Sequence, residues 1–204
     1  CNALLGRENS QSILVSLEAD NLFVVALDDK REWFRYHHLF VEFLRKELSA
    51  GYNEKVVNEL HQRASRWFAN NGFIPEAIDH TLAVKDFVSA ARLIAPQSEQ
   101  WMRRGEISTI LKYLNRLPKD LVWNQWSLCL WYGWSCALTD DINAAEHWTN
   151  RLEALITPLI QDVTLQETGP IPPGLQSAYV QVLAIRSVIA RQNKDFALAV
   201  ALGD

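Results

Sequence analysis

The chain has 204 residues, is 49% hydrophobic and 22% charged, and carries 24 acidic against 20 basic side chains for a net charge of −4. Its hydrophobic content is enough for a core in one large or two small domains. Its basic residues are scattered among acids, which excludes the clustered basic stripe of a nucleic-acid-binding surface. No apolar run reaches the roughly 18 residues that a membrane span needs; the longest, 128–138, is interrupted by Gly133 and Ser135.

The first residue is Cys1, and the residues after it do not have the pattern expected of a signal peptide. Residues 9–20 read as a helix, capped by Asn9 or Ser10 and striped by Ile13, Leu14 and Leu17. Residues 22–27 (LFVVAL) are β-branched and aromatic and predict a strand. The polar run Asp28-Asp29-Lys30-Arg31 predicts a turn, and residues 32–36 (EWFRY) the return strand. From His38 the period changes: Leu39, Phe40, Phe43, Leu44 and Leu48 recur at helical spacing. Helix, hairpin and helix together form the back half of a winged helix, which we place at residues 1–50. A boundary is expected in the stretch 49–53, around Gly51.

Residues 51–204 show no convincing strand and predict helices with short breaks. Ser65, Gly133 and Ser187 are each followed twelve residues later by an alanine, Ala77, Ala145 and Ala199. A large apolar residue, Ile74, Ile142 or Phe196, precedes each alanine by three. Where two antiparallel helices cross closely, both contact positions must be small. Ser65 and Gly133 are 68 residues apart, twice the tetratricopeptide period. Lys85-Asp86-Phe87-x-x-Ala90 is echoed by Lys194-Asp195-Phe196-x-x-Ala199. The expected architecture is mostly α: a partial winged helix with a β-hairpin, then a tetratricopeptide-like superhelix. Residues 84–115 do not obey the twelve-residue rule, so the array is expected to be irregular. The proline-rich stretch 163–174 predicts a long loop. The final DFALAVALGD reads as a helix cut short, so the chain is expected to be a fragment of a longer protein.

Candidate chemistry is sparse. His37 and His38 are adjacent at the strand–helix junction, where neighbouring side chains diverge and no third ligand is spaced to complete a metal site. Asp28 and Asp29 suit a hairpin tip for local reasons. Arg31, Arg35, Arg45 and Lys46 alternate with Glu32, Glu42 and Glu47, a solvated surface more than a phosphate track. Cys129 and Cys136, seven apart on one helical run, are too distant for a disulfide and suit burial in a reducing, cytoplasmic setting. There is no G-x-S-x-G elbow. His61, His80 and His147 fall on different predicted helices without a nucleophile beside them. No catalytic residue is assigned. Of the eight tryptophans, Trp123, Trp126, Trp131, Trp134 and Trp148 are concentrated in one region. Core packing accounts for most of them; a rim tryptophan such as Trp123 is the candidate to line a groove and stack on a small ligand.

Leu17-Glu18, Asn21-Leu22-Phe23, Leu27-Asp28-Asp29, Trp33, Tyr36-His37-His38-Leu39-Phe40, Phe43-Leu44 and Leu48 resemble the MalT-like, LuxR-type, ATP-dependent transcriptional regulators. Leu60-His61, Ala64, Trp67, Gly72 and Glu76-Ala77-Ile78-x-His80 look like the first helices of that family's sensor domain. The resemblance implies a signal-transducing nucleotide switch. Its parts are an upstream P-loop ATPase module, a winged helix, a helical-repeat sensor for an inducer or protein partner, and a downstream DNA-binding domain. ATP and ADP belong to the full-length protein, which self-associates when active. Neither a G-x-x-x-x-G-K-[ST] run nor a basic recognition helix is present in these residues, so no cofactor and no direct DNA contact are expected of them. Tyr36-His37-His38-Leu39 is also similar to a Met-His-Asp-Leu motif in related switches, in which the histidine contacts the β-phosphate of ADP. That likeness makes His37 the nucleotide-sensing candidate; His38 stands where the motif has an acid. The rival is a repeat scaffold that docks a partner without a nucleotide switch.

Overall fold

The computed structural model describes residues 1–165 and 172–202. The chain forms two compact units, Cys1–Lys85 and Asp86–Asp204.

The first unit runs α1 (Asn2–Leu5), α2 (Ser10–Ala19), β1 (Val24–Ala26), β2 (Phe34–Tyr36), α3 (His38–Gly51), α4 (Glu54–Asn70) and α5 (Ile74–Ala83). The strands pair antiparallel with Val24 opposite Tyr36 and Ala26 opposite Phe34. Both are shorter than the sequence predicts; β1 starts only at Val24, because Phe23 before it turns left-handed (φ 58°). The hairpin tip is tied by Asp28, whose carboxylate accepts from the N–H groups of Glu32 (3.1 Å) and Trp33 (2.7 Å). This is local turn chemistry, as the residue types suggested. Glu18 of α2 accepts from Ala26 N–H at 2.9 Å and faces Arg31 at 3.4 Å, fixing the hairpin to that helix. Asn9 is the N-cap residue of α2 but makes no side-chain cap bond.

Helix α3 continues through Gly51, and the chain breaks only at extended Tyr52. Asn53 then caps α4, its side chain accepting from Val56 N–H at 2.9 Å. Helices α4 and α5 pack with the winged helix: Trp33 meets Phe73 edge-on at 5.0 Å, and Arg63 donates to the Leu4 carbonyl at 3.1 Å. The packing division therefore falls after Lys85.

The second unit runs α6 (Phe87–Arg103), α7 (Ile107–Leu114), α8 (Lys119–Trp123), α9 (Trp126–Leu138), α10 (Ile142–Leu165), α11 (Pro173–Gln192) and α12 (Phe196–Ala201). Ile94, Ile110, Leu114, Leu128, Leu152, Ile156, Val182 and Ile185 are fully buried and form its core. These are stacked helix hairpins, the architecture of a helical-repeat superhelix. Among the described residues no strand follows β2. The loop expected at 163–174 is helical at both ends, since α10 continues through Leu165 and α11 starts at Pro173; residues 166–171 lie outside the described residues.

Four hairpins, α4/α5, α6/α7, α9/α10 and α11/α12, reverse through one kind of turn. A left-handed residue stands at each: Gly72 (φ 82°), Gly105 (φ 73°), Asp140 (φ 59°) and Lys194 (φ 62°). The next N–H reaches back five residues: Phe73 to Phe68 (2.9 Å), Glu106 to Trp101 (2.9 Å), Asp141 to Cys136 (3.0 Å) and Asp195 to Ala190 (2.8 Å). This is the Schellman closure, which satisfies carbonyls that the helix end leaves open.

The small-residue pairs Ser65/Ala77, Gly133/Ala145 and Ser187/Ala199 are buried as their spacing predicts. The Ser187 hydroxyl donates to the Ala199 carbonyl at 3.0 Å. Residues 84–115 prove more regular than expected. The α6/α7 hairpin uses the same turn, and the twelve-residue pair there is Ser98 with Ile110, both fully buried. One small residue is kept and the alanine is replaced, which hid the hairpin from a rule that demanded both. The Lys-Asp-Phe echo is a turn and a cap: Lys85 and Lys194 are left-handed, and Asp86 and Asp195 accept from Ser89 and Leu198 N–H, each at 3.1 Å. The two copies are not equivalent in the array, since one precedes α6 and the other lies inside the α11/α12 hairpin.

Candidate functional site

His37 is the N-cap residue of α3. Its backbone joins both elements: its N–H donates to the Phe23 carbonyl at 2.8 Å, and its carbonyl accepts from Val41 N–H at 3.0 Å. The side chain makes no cap bond and is exposed, as is that of His38, whose ring centroid lies 4.3 Å away. The surrounding face is aromatic and apolar. Phe40 packs against Phe23 (5.3 Å) and Tyr36 (5.8 Å), while Leu39 and Phe43 stand 62% and 54% exposed. An exposed imidazole here can donate a ring N–H to an incoming acceptor.

Trp123 ends α8 and is half-buried. The Arg151 guanidinium lies 4.9 Å over its ring, and Arg151 Nε donates to the Trp123 carbonyl at 2.8 Å. His147 (4.7 Å) and Trp148 (5.6 Å) also pack on it. Trp148 in turn stacks on Tyr132 at 4.4 Å. These contacts gather α8, α9 and α10 into one aromatic tier. Trp131 is buried; Trp134 is half-buried and donates from Nε1 to Gln181 Oε1 at 2.6 Å. Under the same region Cys129 donates to the Val122 carbonyl at 3.2 Å. Burial pushes the Cys129 thiol up to about 12 and the Cys136 thiol up to about 11, with Asp141 adding to the second. All three cysteines are free.

The second unit holds a groove between α10, α11 and α12, of about 500 Å³, lined by Glu146, Asn150, Arg186, Asn193, Asp195 and Leu198 among others. Arg186 donates to Asn150 Oδ1 at 3.0 Å and is paired with the Glu153 carboxylate. Polar groups of both hydrogen-bonding senses thus converge beside apolar surface, the usual make-up of a site for a small molecule or peptide segment. Sequence reading did not find this groove; its residues come from three helices and share no spacing.

A second juxtaposition also escaped the sequence. His61 of α4 and His80 of α5, separate in the chain, meet with Nδ1 atoms 2.8 Å apart. Among the described residues no group of three or more His, Cys, Asp or Glu side chains is placed to hold a metal, and no helix is long and apolar enough to cross a membrane.

Comparison with known proteins gives two findings. Residues 1–56 match the family model described as the MalT winged helix domain. The chain is 34% identical over 155 residues to proteins named serine/threonine-protein kinase PknK from Mycobacterium tuberculosis and Mycobacterium bovis. The match covers 76% of this chain and 14% of each relative, so the chain spans a small part of their length. No solved structure matches the chain.

Proposed function

We propose that this chain is a binding module. Its helical repeat takes a small molecule or protein segment, and its winged helix passes the event to an output domain elsewhere in the polypeptide. The observation that carries this is the α10–α12 groove, where Asn150, Arg186 and Asn193 stand beside the apolar Ile189, Ala190 and Leu198. Repeat arrays present such concave surfaces as their working face. The test is a thermal-shift screen of the chain against a panel of sugars and short peptides, repeated with Asn150→Ala and Asn193→Ala. A ligand that raises the midpoint of the unaltered chain and fails to do so in either variant, with helicity unchanged, supports the groove. A ligand that stabilises both variants equally places binding elsewhere.

A finer reading sets the module within an ATP-dependent transcriptional regulator of the MalT and LuxR type. The match over residues 1–56 and the exposed His37 at the strand–helix junction favour it. On this reading an upstream P-loop NTPase holds ADP and His37 donates a ring N–H to its phosphate. Inducer binding in the repeat releases that contact, the protein self-associates, and a downstream domain binds DNA. His37 is the only residue of this chain assigned to the nucleotide. The kinase relatives suggest a different outlet for the same module, protein phosphorylation in place of transcription. Trp123, clamped by Arg151, serves in either case to hold α8 against the groove-forming helix α10.

A further inference from the structure

The contact between His61 and His80 has a proton requirement that neither reading of the function uses. The Nδ1 atoms are 2.8 Å apart, the ring centroids 5.0 Å apart, and the His80 ring also stacks on Phe68 at 5.4 Å with planes 15° apart. Two ring nitrogens at that distance need one hydrogen between them. One ring presents Nδ1–H; the other presents a bare Nδ1 and carries its proton on Nε2. The neutral pair meets this need. So does the pair with one added proton, because an imidazolium N–H donates to a bare nitrogen at least as well. A second added proton puts hydrogens on both facing nitrogens, leaving two like charges and no acceptor.

The surroundings oppose that second proton. Arg45 of α3 sets a positive charge near His61, whereas Asp79, beside His80 on α5, pulls the other way. Glu76 lies one helical turn before His80, α4 has no charged residue three or four positions from His61, and α1 has no titratable side chain. Both rings hold protons less readily than the ordinary value of 6.5, chiefly through burial, then through Arg45 for His61 and through His61 for His80.

We infer that His61 and His80 form a proton-operated latch, closing α4 on α5 while the pair carries at most one added proton and releasing that hairpin when both rings are imidazolium. The hairpin is joined to the winged helix through Trp33 on Phe73 and Arg63 on Leu4, so release loosens the attachment of that domain. Because both rings resist protonation in the fold, the latch contributes stability fully above pH 6.5 and loses it as pH falls through the lower folded values.

The test is urea unfolding of the chain at several pH values between about 7.5 and 5, in parallel with His80→Gln, which keeps a hydrogen-bonding partner for His61 but cannot become a cation. The unfolding constant of the unaltered chain is expected to climb more steeply with acid, by up to about tenfold per pH unit for each additional proton taken up. Parallel pH profiles for chain and variant overturn the latch. A second measurement needs no variant: ring-nitrogen NMR of the five histidines. Two rings are expected to titrate below the ordinary value of 6.5, one of them as the Nδ1–H tautomer; the absence of any ring titrating below 6.5 overturns the proposal.

Discussion

Several of the informative residues adopt a backbone conformation that glycine usually takes. Asn21, Phe23, Arg31, Lys85, Asp140 and Lys194 are all left-handed, with φ between 53° and 62°. A side chain in that region costs about 1–2 kcal/mol, and each of these lies at a turn or an element end. The lysines are followed by an aspartate that caps the next helix, and the cap offsets part of that cost. At the same scale, Cys129 and Cys136 show how burial decides reactivity. With thiols pushed up to about 12 and about 11, both stay protonated at neutral pH. Iodoacetamide at about pH 8 should therefore label only exposed Cys1 in the native chain and all three cysteines after unfolding. Mass spectrometry showing native labelling of Cys129 or Cys136 would contradict their placement. The inert character of these thiols was readable from an apolar helical run. The meeting of His61 and His80 was not, because nothing in a nineteen-residue separation says which faces of two helices will turn together.

Among elements, the hairpin is the repeated unit, and it needs close helix approach. Gly133 shows how close: a Cβ built there would lie 3.1 Å from Thr149 Oγ1 and 3.5 Å from Ile185 Cδ1. Gly133→Val should thus destabilise the second unit by roughly 1–3 kcal/mol through overpacking, read as a lower urea midpoint with little change in slope. A neutral result would show that α9, α10 and α11 have room to spare. The pattern of small residue and alanine was legible because close crossing restricts size at a fixed offset across a short turn. It failed at Ser98 and Ile110, where burial and the twelve-residue offset are kept and the alanine is not. The Schellman turns were less legible: glycine marks two of them, but aspartate and lysine mark the others. Helix α8, five residues between a proline and an asparagine, was missed because one turn leaves no periodicity to read.

For the whole molecule, packing groups elements differently from their kind. Helices α4 and α5 have the hairpin form of the repeat, yet they pack with the winged helix, through aromatic contacts that the 28–33 tip and the α4/α5 turn supply from distant parts of the chain. Any relay through the first unit thus has a continuous path from α3 to α5, with His37 at its start. If His37 senses nucleotide, His37→Ala in the full-length protein should release ADP faster and raise output in the absence of inducer. The ADP off-rate, measured with a fluorescent analogue, and basal output decide the matter; both unchanged would remove His37 from the switch. Because the imidazole is exposed and its backbone alone holds the junction, the substitution should leave folding intact. That separates loss of signalling from loss of structure.

The sequence by itself determined the mostly helical class, the hairpin with its acidic tip, the change of period at His38 and the close-crossing pairs. Each of these rests on local or fixed-offset physics: side-chain alternation in a strand, recurrence in a helix, turn chemistry, and size limits where helices touch. Only the tertiary structure decided that α4 and α5 belong with the winged helix, that Arg151 covers Trp123, that the groove lies between α10, α11 and α12, and that His61 meets His80. Those features depend on how helix faces are rotated against one another. That rotation is set by the summed packing of many side chains and leaves no periodic mark on the chain.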